Sequence, residues 1–262
     1  MHRRGSLFWG IVLIVLAALL LLRQMGIIIG DIFGYFWPLL IIAFGLWLIL
    51  GFFARKKPIE GEQVSIPLEG ATSAYVKLDH GAGRLTVHSG AGSGEIVNGT
   101  FGNGLSYKSH VEGGRLEVKL RTSQQFWAWW PGESLDWDIR LNHDIPLSLK
   151  IDSGASASIL DLSDLKITDL DIDTGASSTE LSLPSNAGNT HVDIDTGASS
   201  LKVNIPSGVA ARIRVKTGIA SVNINSHFPC LDGGLYQSSD YSTATNRVDM
   251  TIDAGIGSIE VR

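Results

Sequence analysis

The chain has 262 residues, 21 Lys/Arg against 26 Asp/Glu, a net charge of −5 and one cysteine. That balance leaves no basic face for nucleic acid, and a lone Cys230 excludes an intrachain disulfide framework. A single thiol agrees with a reducing compartment without requiring one.

The first fifth of the chain is written for a different solvent from the rest. Leu7–Leu22 and Tyr35–Phe53 carry no charge, and about 20 apolar residues span a bilayer, with tilt or thinning absorbing a shortfall. The pattern predicts a transmembrane helical hairpin over residues 1–57, with spans at about 7–23 and 35–53. Arg3-Arg4 before the first apolar run also suits a signal peptide, but Arg23-Gln24-Met25 offers no small-residue cleavage site and a second span follows at once. Trp9 and Trp37 suit membrane interfaces. His2-Arg3-Arg4 and Arg55-Lys56-Lys57 flank the pair, while the connecting turn has Arg23 balanced by Asp31. The positive-inside rule then puts both ends, and the soluble domain, in the cytoplasm rather than outside.

Residues 58–262 read as an all-β single-chain solenoid, β-helix-like, with repeats of about 21–22 residues. One pattern starts six times: at Asp79, Asp152, Asp173, Asp195, Lys216 and Asp253. Its third position is always glycine: Gly81, Gly154, Gly175, Gly197, Gly218 and Gly255. The fifth is always small. Glycine at a corner implies either a positive φ or the close approach of a neighbouring coil. On both sides apolar residues alternate with polar ones, as in Leu149/Ile151, Leu170/Ile172 and Val192/Ile194 before the corner and Leu201/Val203/Ile205 after it. Pro184 and Pro206 end strands. A single strand–corner–strand unit cannot bury its apolar face; stacked units can. A degenerate copy stands at Gly113-Gly114-Arg115-Leu116-Glu117-Val118.

Stacking predicts an Asp152/Asp173/Asp195 ladder, with Arg214/Lys216 on the rung beside Asp193/Asp195. At roughly 4.8 Å, neighbouring carboxylates repel by about 0.9 kcal/mol in water. Amides of each Asp's own corner would offset this most simply. A bound cation is the sharper alternative, but the glycine-rich calcium repeat is absent.

Asp173-Thr174-Gly175 and Asp195-Thr196-Gly197, with apolar residues upstream, resemble the catalytic signature of aspartic proteases. Such enzymes need two carboxylates facing each other about 3 Å apart. Six copies, one with Lys216 in the acid's place, fit corners of a fold instead. No catalytic residue is expected. Nor is a cofactor or metal: the histidines lack zinc spacing, and no glycine loop ends in Lys-Ser/Thr.

Phe126–Trp137 breaks the repeat and holds Trp127, Trp129, Trp130 and Trp137. Two readings stay open. The aromatics cap one end of the solenoid, or they form an exposed contact for a partner protein or lipid.

Leu7-Phe8-Trp9-Gly10-Ile11-Val12-Leu13-Ile14, the Gly26–Gly34 turn and Phe36-Trp37-Pro38-Leu39-Leu40 with Gly45 seven residues past Pro38 resemble the membrane region of LiaF-type proteins. The Asp-x-Gly-Ala-Ser corners resemble the adhesin-type, or toastrack, β-solenoid attached to such regions. The resemblance implies a bacterial cell-envelope stress protein that restrains a membrane sensor kinase. The expectation is a non-enzymatic interaction or regulatory module whose partners are the lipid bilayer and a sensor kinase or other envelope protein. An extracytoplasmic adhesin-like or structural surface protein is the alternative, and a membrane-bound aspartic protease the remote one.

Overall fold

A computed structural model of the chain describes residues 61–123 and 135–262. The two predicted spans lie outside them, as do Trp127, Trp129 and Trp130.

The described residues form thirteen strands. They are β1 (Glu62–Pro67), β2 (Ser73–Ser89), β3 (Glu95–Phe101), β4 (Leu105–Glu112), β5 (Arg115–Thr122), β6 (Trp137–Leu141), β7 (Pro146–Asp161), β8 (Lys166–Ser182), β9 (Asn189–Asn204), β10 (Ala210–Ile224), β11 (Cys230–Asp232), β12 (Leu235–Gln237) and β13 (Arg247–Val261). Six are coils of 15 to 17 residues, each with the glycine corner at its middle: β2, β7, β8, β9, β10 and β13. They pair in parallel and in register in the order β2-β7-β8-β9-β13-β10.

Alternation explains why these segments bury what they bury. Leu78, Ile151, Ile172, Ile194, Ile252 and Val215 are register partners in one column before the corner. Val87, Leu160, Leu181, Val203, Val261 and Ile224 form another after it. Both columns belong to, or pack against, one hydrophobic cluster. Each fully buried aliphatic side chain contributes about 1.5–3 kcal/mol, so one coil alone gains little and the stack gains cooperatively.

The coil order departs from chain order. β13 inserts between β9 and β10, so Asp253 stands beside both Asp195 and Lys216. The expected Lys216–Asp195 rung is therefore corrected: five acids run consecutively before the lysine.

The first coil is closed by two separate strands. β5, the degenerate copy, pairs with Ser73–Asp79, and β6 pairs with Leu85–Ser89. β5 also forms a hairpin with β4 through Gly113 (φ 57°) and Gly114 (φ 79°), left-handed positions that suit glycine. β6 continues through β3 to β1 in antiparallel pairing.

Candidate functional site

The corners carry the sequence's clearest pattern, and their geometry answers the question it raised. The glycines at 81, 154, 175, 197, 218 and 255 are not among the positive-φ residues. A Cβ on Gly154 would lie 2.8 Å from the carbonyl oxygen of Gly81. The equivalent distances are 2.7 Å from Gly175 to Gly154, 2.8 Å from Gly197 to Gly175, 2.5 Å from Gly255 to Gly197 and 2.8 Å from Gly218 to Gly255. Close approach of stacked backbones, not dihedral freedom, therefore excludes a side chain at these five positions. Gly81 begins the column, and a Cβ there would meet nothing within 4 Å.

The first corner position makes an electrostatic column: Arg121, Asp79, Asp152, Asp173, Asp195, Asp253, Lys216 in spatial order. A base closes each end. Arg121 Nε donates to Asp79 Oδ2 at 2.7 Å, and Lys77 Nζ lies 2.5 Å from Asp152 Oδ2. Lys150 Nζ sits 2.7 Å from Asp171 Oδ2 and 3.7 Å from Asp152 Oδ1. Hydrogen bonding to Asp152 raises the Lys77 pKa, and hydrogen bonding to Asp171 raises that of Lys150. Neighbouring basic side chains, Arg121, Lys77 and Lys150, rather than amides of the acid's own corner, thus offset the charge at Asp79 and Asp152. That corrects the expected offset. Asp173, Asp195 and Asp253 are exposed, where water screens their repulsion.

Asp173 and Asp195 are register partners in adjacent parallel strands. They stand side by side on a solvent-facing surface and do not oppose each other across a cleft. The shared-proton arrangement of an aspartic protease needs the opposite geometry.

Beneath the acids runs a buried polar column of His80, Ser153, Thr174 and Thr196, continued by Ala254. Thr174 Oγ1 and Ser177 Oγ share a hydrogen bond of 3.0 Å. The hydroxyls of Ser153, Thr179 and Thr196 have no protein partner.

At the first corner the chain just before β6 lies across the bend. His80 Nε2–H donates to the Leu135 carbonyl at 3.0 Å, which leaves Nδ1 buried without a partner. The Arg84 amide donates to Asp136 Oδ1 and the Gly102 amide to the Asp136 carbonyl, both at 2.9 Å. Burial pushes the His80 pKa down.

Trp137 is 1 % exposed, with ring centroids 5.1 Å from His80 and 5.2 Å from Phe101. It belongs to the core. The expected partner or lipid contact at Trp137 is corrected accordingly: Trp137, Ile139 and Leu141 alternate inward along β6. That period-2 spacing was the signal available in the sequence, masked by the density of tryptophan around it.

A parallel, in-register stack of bent coils, joined to an apolar N-terminal fifth, defines a membrane-associated β-solenoid. Residues 55–204 match the N-terminal domain of toast_rack, more than half of the chain, and the chain belongs to that family. Residues 7–49 match the LiaI-LiaF-like transmembrane region. The match to the toast-rack domain ends with β9, and β10 and β13 add two further rungs of the same column. A crystal structure of a candidate cell adhesion protein from Clostridium sporogenes aligns with a TM-score of 0.71 at 22 % identity. The alignment covers 77 % of this chain and 98 % of that one, and shows a shared fold. No curated protein is a significant match.

Proposed function

We propose that this chain is a non-enzymatic, membrane-anchored regulatory module of the bacterial cell envelope, and that it acts by contact on a membrane sensor kinase responding to cell-wall stress. One observation carries the reading: a LiaI-LiaF-like membrane region and a toast-rack domain lie in the same chain. Asp173, Asp195 and Asp253, exposed in a row with no cleft between them, support a binding surface over a catalytic centre. In this reading the N-terminal hairpin spans the membrane twice, and the flanking Arg and Lys hold the β-solenoid in the cytoplasm. Trp127, Trp129 and Trp130 supply a lipid or partner contact.

The test is crosslinking of the full chain in membranes, with and without a cell-wall-targeting antibiotic, followed by identification of the captured partner. A sensor kinase whose yield changes with the antibiotic is the expected result. The structural likeness to a candidate cell adhesion protein favours a second reading, an extracytoplasmic adhesin-like surface protein. A reporter fused after Arg262 separates the two. Activity only outside the cytoplasm removes the kinase reading and leaves the adhesin.

A further inference from the structure

The two ends of the coil stack are finished differently. The first coil is covered along both halves, by β5 and by β6. The last coil, β10, is covered on its outer side by described residues only from Ala211 to Val215. Ser238 exchanges hydrogen bonds with Ala211, β12 pairs with Arg212–Arg214, and the Val215 amide donates to the Gly234 carbonyl. Among the described residues, no strand pairs with the outer edge of β10 from Lys216 to Ile224. Positions that are buried in interior coils are open here. Thr217 and Val222 are exposed, whereas their counterparts two rungs in, Thr196 and Leu201, are buried. The corner surface also changes character. Ala155, Ala176 and Ala198 are succeeded by Ile256, 60 % exposed, and Ile219, 78 % exposed.

An unpaired strand edge beside aliphatic side chains accepts an extended segment, which gains main-chain hydrogen bonds and buries the aliphatics. Charge selects what that segment carries. Lys216 ends a column of five aspartates and has Asp253 on its inner side only. A carboxylate on the next rung would repeat the Asp–Lys neighbour relation on the outer side. A second copy of the folded coils does not supply it. Every corner aspartate lies on a strand already flanked on both sides, and Arg121 occupies the outer side of Asp79. Two basic β10 edges also repel each other.

We infer that the Lys216–Ile224 edge of β10 docks an extended segment of a partner protein, with an acidic side chain beside Lys216 and alternating aliphatic residues against Ile219, Val222 and Ile224. This deepens the proposed function by naming the surface through which the module makes contact. It does not depend on which protein the module regulates.

The experiment uses the full chain in lipid nanodiscs and a fluorescent synthetic peptide copying residues 194–204. In register, that peptide sets Asp195 beside Lys216, Leu201 beside Val222 and Val203 beside Ile224. Saturable anisotropy is expected. Lys216→Glu should weaken binding about fivefold, the scale of reversing one exposed ion pair. A peptide with lysine at the Asp195 position should regain that loss on the Lys216→Glu protein and bind the parent protein less well. This charge swap reads the contact even if a Val222→Asp variant, the apolar counterpart, unfolds. Absence of saturable binding, or binding indifferent to both the Lys216→Glu change and the swap, overturns the inference. So does a concentration-dependent dimer abolished by Val222→Asp, since a second copy would then be the occupant. Failure of the kinase crosslink alongside successful peptide docking would count against the proposed partner and leave the surface standing.

Discussion

The Gly154 carbonyl oxygen occupies the space a side chain on Gly175 would need: a Cβ built there lies 2.7 Å away. The obstacle is backbone, so no rotamer change relieves it. The coils must separate locally or the strand must shift. Gly175→Ala is expected to destabilise the domain by about 1–3 kcal/mol, the scale of overpacking a tight site. Gly81→Ala is the control, because its Cβ would meet nothing within 4 Å. It should be neutral to within about 0.5 kcal/mol. Thermal unfolding of the full chain, followed by the β-sheet circular dichroism signal, separates the two. Equal losses would show that the corner needs glycine for some reason other than stacking.

Much of this architecture was legible because a parallel coil stack repeats its own spacing. Asp152, Asp173 and Asp195 stand 21 and 22 residues apart, and they fall on neighbouring rungs. The alternation that separates Ile151 from Asp152 is the alternation that separates core from solvent. The order of the last two coils was not legible. Parallel rungs of similar side chains are interchangeable neighbours, and nothing in the spacing between Lys216 and Asp253 says which one pairs with Asp195. The contact between His80 and Leu135, 55 residues apart, left no periodic trace either. Trp137 was readable from Ile139 and Leu141, but only once the strand was separated from the aromatic run before it.

His80 makes the first corner sensitive to acid. Its Nδ1 is buried without an acceptor, so a second ring proton would have no partner. Burial lowers its folded pKa, against smaller opposing effects from the Leu135 carbonyl and Asp136. The unfolded chain, with an ordinary histidine pKa of about 6.5, therefore binds the proton more readily. The contribution of neutral His80 is complete above that value. It is lost as pH falls below it, by at most about 1.4 kcal/mol per pH unit until the lowered folded pKa is passed. His80→Gln keeps an N–H donor for the Leu135 carbonyl and removes the titration. The variant should unfold with a flatter dependence between neutral and mildly acid pH. An unchanged slope would assign the acid sensitivity to other groups.

The buried hydroxyls offer gains as well as losses. Thr196 Oγ1 and Thr179 Oγ1 have no protein partner in the interior, and valine fills the same volume without a polar atom. Each of Thr196→Val and Thr179→Val should stabilise the domain by roughly 1 kcal/mol. Thr174→Val should do the reverse by a similar amount. Its hydroxyl shares a 3.0 Å hydrogen bond with Ser177, and losing it strands the partner. Melting temperatures of the three variants test the contrast. A loss at Thr196 and Thr179 would point to bound water satisfying those hydroxyls.

The lysines beside the acidic column act against its self-repulsion, and that makes their effect depend on salt. Lys77 meets Asp152, and Lys150 meets Asp171 with Asp152 close by. These side chains are partly exposed, so each of Lys77→Met and Lys150→Met should destabilise by only about 0.5–1 kcal/mol at low ionic strength. At 1 M salt the screening length falls to about 3 Å, and the difference from the parent protein should shrink toward zero. Both lysines have raised pKa values in the folded state. Their contribution is therefore complete below the unfolded lysine pKa and is lost as pH rises through the higher folded value. Paired denaturation curves at low and high salt, with the alkaline limb included, check both statements. A salt-independent deficit in the methionine variants would mean that the lysine stems pack against the strands and the charges contribute little.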